Sequence, residues 1–448
     1  MKTEVKRLGW PIWAICLPLF FYFAVHLWFA SQGKPFWLDE TDGIFWNLKL
    51  NLWQLIRDGA PKGQGSKSPL LYVFDRLWVY AWNDQPLKYW DLRLFFRVIP
   101  VAAWSGANVF LFAHLWRYFF KEKGFRYWTA CLFAFAIAQF TYTNNFGSYY
   151  AIESRGYSLW VGFSLLHFLA FWQIVRTKNE GWVLYYLASL GLVLTTYASL
   201  PQIFLSGGLL LLDEWRKDKR VSIFSLRQKK VAAALGISLL VGLYYFSKLE
   251  PMHFPKAPLS LYGSSVLEVL LKAFHHHSYH AAVVSFPFLF IAVPLYWRKR
   301  SADLSICCLH ALLLVGNSYV LYLSSLRSGG IFASRYVIYA LPSLTFLYVL
   351  GMVTIVKVIA GWLEERSKGP LLLPTFVALA LLEAVSRPYG IYNGIAKDIS
   401  RFVARNSFVL HDTPACAKEI AYYPSDFEHV NNECREISGE LPIDPGRP

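Results

Sequence analysis

Asp39 and Glu40 stand together in Phe36-Trp37-Leu38-Asp39-Glu40, a few residues beyond the first long apolar run of the chain. The aromatic flank places the pair at a lipid interface, where a carboxylate is costly to desolvate and tends to be functional or paired. Such a carboxylate can act as a general base toward a hydroxyl, or hold a divalent cation through its oxygens. Asp39 is equally well placed to cap a helix beginning near Thr41.

Three further stretches carry charge at the edge of apolar runs. In Gly65-Ser66-Lys67-Ser68-Pro69-Leu70-Leu71-Tyr72, Lys67 precedes a helix that starts at a proline, and the helix amino terminus adds partial positive charge, as in an anion site. A solvated loop lysine is the plain alternative. In Tyr149-Tyr150-Ala151-Ile152-Glu153-Ser154-Arg155-Gly156-Tyr157, Arg155 can clamp a phosphate by forked hydrogen bonds, with Glu153 and Tyr157 beside it. The competing reading is a local ion pair, with the arginine snorkelling to headgroups. Arg335 and Tyr336, in Ser334-Arg335-Tyr336 followed by Pro342, open a late span and put another cation at a membrane edge.

The run of His275, His276, His277 and His280 raises metal binding. Three consecutive imidazoles point in different directions on a helix, and only Glu268 lies at ligand spacing, so a solvated interfacial loop fits better and no metal ligand set is assigned.

The elements that must position these residues are membrane spans. The 448 residues are 55% hydrophobic, 18% aromatic and 16% charged, with a mean hydropathy of +0.34. A soluble domain carries about a quarter charged residues. With the amino terminus cytoplasmic, eleven spans are expected near 10–30, 94–119, 127–143, 156–175, 181–198, 200–212, 231–249, 281–297, 304–323, 335–356 and 370–386. The run 182–212 is divided at Ser199-Leu200-Pro201, because the residue before proline resists helix.

The net charge of +15 does not imply nucleic acid. The basic residues gather in Lys2, Lys6 and Arg7; Lys121, Lys123 and Arg126; Arg176 and Lys178; Arg216 to Lys230; Arg298, Lys299 and Arg300; and Arg366 and Lys368. These fall in every second loop, the positive-inside pattern. The first apolar run is too long for a signal-peptide core and lacks a small-residue cleavage site, so it is expected to be retained.

Residues 1–386 are thus expected to form a transmembrane domain, whose first outer loop, 31–93, carries amphipathic helices over 44–57 and 70–82. Residues 387–448 form a small extracytoplasmic tail, in which Cys416 and Cys434 are expected to pair in an oxidising compartment. Cys16, Cys131, Cys307 and Cys308 fall inside spans and are expected to behave as small hydrophobes.

In this order the motifs resemble those of the GT-C glycosyltransferases, in particular the protein-mannosyltransferase and aminoarabinose-transferase-like branch (glycosyltransferase family 39-like). Leu38-Asp39-Glu40, Lys67-Ser68-Pro69-Leu70-Leu71-Tyr72 and Leu92-Arg93-Leu94 look like the opening of that family. Glu153-Ser154-Arg155-Gly156-Tyr157 is similar to its Glu-Ala-Arg-Pro-Tyr segment, and Arg335-Tyr336 with Pro342 to its Arg-Tyr…Leu-Pro segment. The resemblance runs from about residue 36 to 345.

The resemblance implies an all-α polytopic membrane protein of GT-C-like fold with about eleven spans, in a bacterial inner membrane, with its active site and carboxy terminus extracytoplasmic. It implies transfer of a sugar from a polyprenyl-phosphate donor to a glycan, glycolipid or protein acceptor, with inversion. Asp39 would be the general base. Glu40 would support it or help to hold a divalent cation. Lys67, Arg155 and Arg335 would meet the donor phosphate, and Glu153 would orient Arg155 or the acceptor. The chain departs from the family at Ser68, where His or Pro is usual, and at Thr195-Thr196-Tyr197, where a His is usual. Those departures bear on the sugar, the acceptor and the metal. The tail is also shorter than the outer domains of some relatives.

The physical requirements point the same way: a lipid-borne phosphate needs cations at headgroup depth and an acidic group facing water. A transporter or flippase of lipid-linked sugars is the main rival and expects charge at mid-depth or inverted repeats, where the spans appear almost uncharged. An O-antigen ligase or polymerase would place its key residues in a large late outer loop. A non-catalytic scaffold would leave the one-sided charges unexplained.

Overall fold

The structure is a computed structural model. It describes residues 11–32, 36–37, 40, 50–60, 68–82, 92–122, 127–142, 148, 150–177, 180–218, 225–248, 302–328, 339–343, 345–347, 350 and 420–421. Among these the elements are helices α1 (Pro11–Gln32), α2 (Leu52–Asp58), α3 (Leu70–Ala81), α4 (Leu92–Arg117), α5 (Tyr127–Tyr142), α6 (Tyr157–Thr177), α7 (Trp182–Thr195), α8 (Leu200–Asp218), α9 (Leu226–Phe246) and α10 (Ala302–Ser328). Two short strands, β1 (Phe36–Trp37) and β2 (Ile420–Ala421), pair in parallel.

Local sequence explains the boundaries. Asn51 caps α2, accepting from the Gln54 amide while the Gln54 side chain accepts from the Asn51 amide, a reciprocal capping box. α3 follows Pro69, as the proline predicts, and buries the face made by Leu71, Tyr72, Asp75 and Val79. The break expected near Ser199-Leu200-Pro201 is present. Thr196 is extended and caps a single 3-10 turn, Tyr197–Ser199, which separates α7 from α8. α4 runs into a π-helical turn at Tyr118–Glu122 and carries Pro100 in its interior.

α4 lies at the centre of the packing, against α1, α5 and α6, and α6 in turn packs on α7, α8 and α10. Gly191 lets α7 approach α6 closely: a methyl group there would come within 2.4 Å of the Phe163 ring, which would have to shift. Cys16, Cys131, Cys307 and Cys308 are buried free thiols, as expected of small hydrophobes.

Among the described residues four helical stretches are long and apolar enough to cross a membrane: Ile12–Phe29, Leu94–Lys121, Tyr157–Thr177 and Leu226–Phe246. On α1 the exposed residues Trp13, Leu17, Phe21, Val25 and Phe29 recur every fourth position, an apolar stripe turned away from the protein. Such a surface fits a membrane protein. The expected count of eleven is coarser here. Tyr127–Gln139, Trp182–Thr195 and Leu304–Ser318 are apolar but shorter, and 281–297 and 370–386 lie outside the described residues. α7, at 14 residues, reaches about 21 Å, short of a hydrocarbon core of about 30 Å.

The helices alternate in direction, so the start of α4 and of α6 share one end of the bundle with the ends of α1 and α7. The basic residues Arg117, Lys121, Arg176, Arg216, Arg227, Lys229 and Lys230 sit on the opposite helix ends, near the end of α4 and α6 and the start of α9. There Asp213 is wholly buried and accepts from both Arg216 (2.9 Å) and Arg227 (3.2 Å), joining α8 to α9. α2 and α3 sit at the other end: Tyr244 and Tyr245, near the end of α9, donate to the carbonyls of Arg57 and Ile56.

Candidate functional site

Glu40 is the organising side chain of that second end. One carboxylate oxygen accepts a hydrogen bond from the Ser154 amide at 2.6 Å, and the other meets the Arg97 guanidinium at 3.5 Å. Both charged side chains are wholly buried. Arg97, in the second turn of α4, also donates to the Ser31 carbonyl at the end of α1, at 2.9 Å. One carboxylate therefore links the segment after β1, the start of α4 and the segment before α6. Sequence reasoning passed over Arg97 because it sits inside Leu94-Phe95-Phe96-Arg97-Val98-Ile99. An arginine within an apolar helix was itself the usable signal.

The segment before α6 is bent tightly, with the Glu153 amide donating to the Tyr150 carbonyl at 3.3 Å. Glu153 and Ser154 are buried and Arg155 is half-buried. The Arg155 guanidinium lies 5.2 Å over the Tyr157 ring, which in turn meets Tyr150 edge-on at 5.3 Å. A cation held over an aromatic face keeps its charge while shedding part of its conformational freedom. Gly156 abuts the end of α7: a methyl group added there would touch Thr195 at 3.4 Å.

α3 joins the same end. The Ser68 hydroxyl donates to the Val193 carbonyl of α7 at 3.0 Å, and Trp78 stacks on Phe95 of α4 at 5.7 Å. The contacts thus run from Arg97 through Glu40 and Ser154 to Gly156, Thr195 and Val193, and return through Ser68 and α3 to Phe95. Ser68, which departs from the family pattern, here ties α3 to α7. Thr195 donates to the Gly191 carbonyl, and Thr196 caps the turn that follows it.

Asp75 lies on the buried face of α3, 3% exposed, and its Oδ1 has no hydrogen-bond partner among the described residues. Burial pushes its carboxyl well above the usual range, so the neutral acid is favoured. Sequence reasoning missed it because Tyr72-Val73-Phe74-Asp75-Arg76 reads as a helix with one polar pair on its wet face.

Of the residues singled out from sequence, Glu40, Glu153, Arg155 and Tyr157 are brought to one end of the bundle. Asp39, Lys67, Arg335, Tyr336, the His275 to His280 run and Cys416 with Cys434 lie outside the described residues. Among the described residues no cluster of three or more His, Cys, Asp or Glu side chains is arranged to hold a metal. Glu40 is engaged by a guanidinium and an amide, a setting suited to fixing the fold around a reacting group. Arg97 is committed to Glu40 and the Ser31 carbonyl, whereas the half-buried Arg155 can meet an anionic oxygen.

Compared with family models, curated proteins and solved structures, the chain finds no match in any of the three, and the resemblance in its motifs stands on those residues alone.

Proposed function

We propose that the chain is a multi-pass membrane glycosyltransferase of GT-C-like architecture, with about eleven spans and its active site on the extracytoplasmic face. It moves a sugar from a polyprenyl-phosphate donor to a hydroxyl of a glycan, glycolipid or protein acceptor. The observation that carries this reading is the convergence of Glu40, Arg97 and the Glu153–Tyr157 segment at the bundle end opposite the basic helix termini. The residue next to Glu40 is Asp39, and Arg155 is half-buried at the same end.

In this reaction the acceptor oxygen attacks the anomeric carbon while the bond from that carbon to the phosphate oxygen breaks. The hydroxyl proton passes to the Asp39 carboxylate and polyprenyl phosphate leaves, with inversion at carbon. Glu40 positions Asp39 through its fixed contacts, and Arg155, with Lys67 and Arg335, meets the departing phosphate charge.

A second reading, movement of a lipid-linked sugar across the membrane, gains from a polar layer at mid-depth that the sequence did not disclose. Ser206 of α8 is hydrogen-bonded in the core both to Tyr185 of α7 and to His167 of α6. Sealed proteoliposomes given a radiolabelled polyprenyl-phosphate sugar and a hydroxyl acceptor separate the two. Glycoside formation with release of polyprenyl phosphate supports the transferase; donor movement between leaflets with no glycoside formed overturns it.

A further inference from the structure

Mid-way along the bundle, polar side chains from five elements meet in one layer. The Ser206 hydroxyl lies 2.9 Å from the Ile203 carbonyl, 2.8 Å from the Tyr185 hydroxyl and 3.3 Å from His167 Nε2. In either tautomer of His167 its Nδ1 has no hydrogen-bond partner among the described residues. One turn earlier on each helix, Ser164 donates to Gln202 Oε1 at 3.0 Å, which leaves the Gln202 amide nitrogen unpartnered.

His310 of α10 closes the layer. Its ring lies 4.6 Å from Phe171 and 5.5 Å from Phe168, both of which share the α6 face with Ser164 and His167. Neither of its nitrogens has a hydrogen-bond partner among the described residues, although a neutral imidazole must present one donor and one acceptor. Tyr339 stacks on Trp160 and Phe346 packs on Phe168, so the stretch that carries Ser343 lies along α6. The Ser343 hydroxyl is also buried without a partner among the described residues.

Five unpartnered polar atoms on four fully buried side chains in one layer do not describe an apolar seam. Buried polar atoms are almost always satisfied, and a polar site of this kind is what ordered water occupies. The required pattern is mixed: the Gln202 amide needs an acceptor, His310 needs one donor and one acceptor, and His167 Nδ1 needs one or the other according to its tautomer. Water supplies both. A metal ion would satisfy only the acceptors, and no three-ligand cluster exists among the described residues.

We propose that His167, Gln202, His310 and Ser343 form an internal water-binding site between α6, α8, α10 and the stretch that carries Ser343, at mid-depth of the bundle. This site is independent of the sugar-transfer reading. Its apolar flank, Phe168 and Phe171, gives it a built-in reporter. Hydroxyl-radical footprinting of the full chain in lipid nanodiscs reads bound water as oxidation of the side chains beside it. Phe168, Phe171 and Tyr185 are expected to label several-fold faster than Phe23, which is equally buried and whose stacked neighbour Tyr142 has its hydroxyl satisfied by the Phe23 carbonyl. Equal rates would overturn the site. His310→Phe keeps aromatic packing against Phe168 and Phe171 while deleting two of the unpartnered nitrogens, and is expected to cut that labelling several-fold. Unchanged labelling in a folded variant would likewise overturn the site. If His310→Phe does not fold, Gln202→Met and Ser343→Ala carry the same readout.

Discussion

Arg97 and Glu40 meet at 3.5 Å with neither side chain exposed, 57 positions apart in the chain. A buried pair of this kind adds little net stability over an apolar pair of the same shape, yet removing one partner strands the other charge. Its main effect is geometric: it fixes where the segment after β1 sits relative to α4 and α6.

Arg97→Met and Glu40→Gln are each expected to destabilise the protein by about 3–5 kcal/mol, because each leaves a buried group without its counter-charge. Arg97→Met combined with Glu40→Leu is expected to cost less than the sum of the single changes. Thermal unfolding in detergent, arranged as a double-mutant cycle, measures the coupling. Additive losses would show that the pair does not act as a unit.

Asp39→Asn is expected to abolish sugar transfer while leaving insertion, thermal stability and donor binding close to those of the parent. Normal turnover of the lipid-linked donor by the Asn variant would remove Asp39 from its role as base. Glu40→Gln, by contrast, is expected to lose stability and activity together.

Asp75 gives a pH dependence of defined sign. Its carboxyl titrates well above the unfolded-chain value of about 3.9, because burial penalises the charged form. Folding therefore takes up a proton once pH exceeds that unfolded value, and stability declines as pH rises from there to the folded pKa. Asp75→Asn, which stays neutral, is expected to be the more stable protein at pH 8 and to converge with the parent below about pH 4. Unfolding temperatures measured across that range test the sign. A loss of activity in a variant with raised stability would mark Asp75 as a functional acid.

Gly191→Ala is expected to cost about 1–3 kcal/mol by overpacking, since the new methyl would overlap Phe163. Phe163→Leu on that background is expected to recover part of the loss. If the alanine variant unfolds at the parent temperature, the α6–α7 approach is looser than the structure has it.

Much of the fold was legible from local pattern. Apolar runs and their flanks located α1, α4, α5, α6 and α9, and Ser199-Leu200-Pro201 located the α7–α8 break, because caps and prolines act over a few residues. Pairings between distant positions were not legible. Nothing in the sequence joins Arg97 to Glu40, 57 positions earlier, or His167 to His310, 143 positions later. Their juxtaposition depends on how α6 and α10 rotate about their axes, which hydrophobic periodicity does not fix in helices apolar on most faces. The expectation of spans almost uncharged at mid-depth holds for formal charge and misses the neutral polar layer.

Pro100 sits one turn below Arg97 in α4. Having no amide proton, it leaves the Phe96 carbonyl without its usual helical donor, and its ring crowds that same carbonyl. Helices bend at such a point. α4 nevertheless runs unbroken from Leu92 to Arg117, with the turns that carry Arg97 joined to the rest through one backbone hydrogen bond fewer. Arg97 holds Glu40, so the acidic segment hangs from the weakened end of that helix.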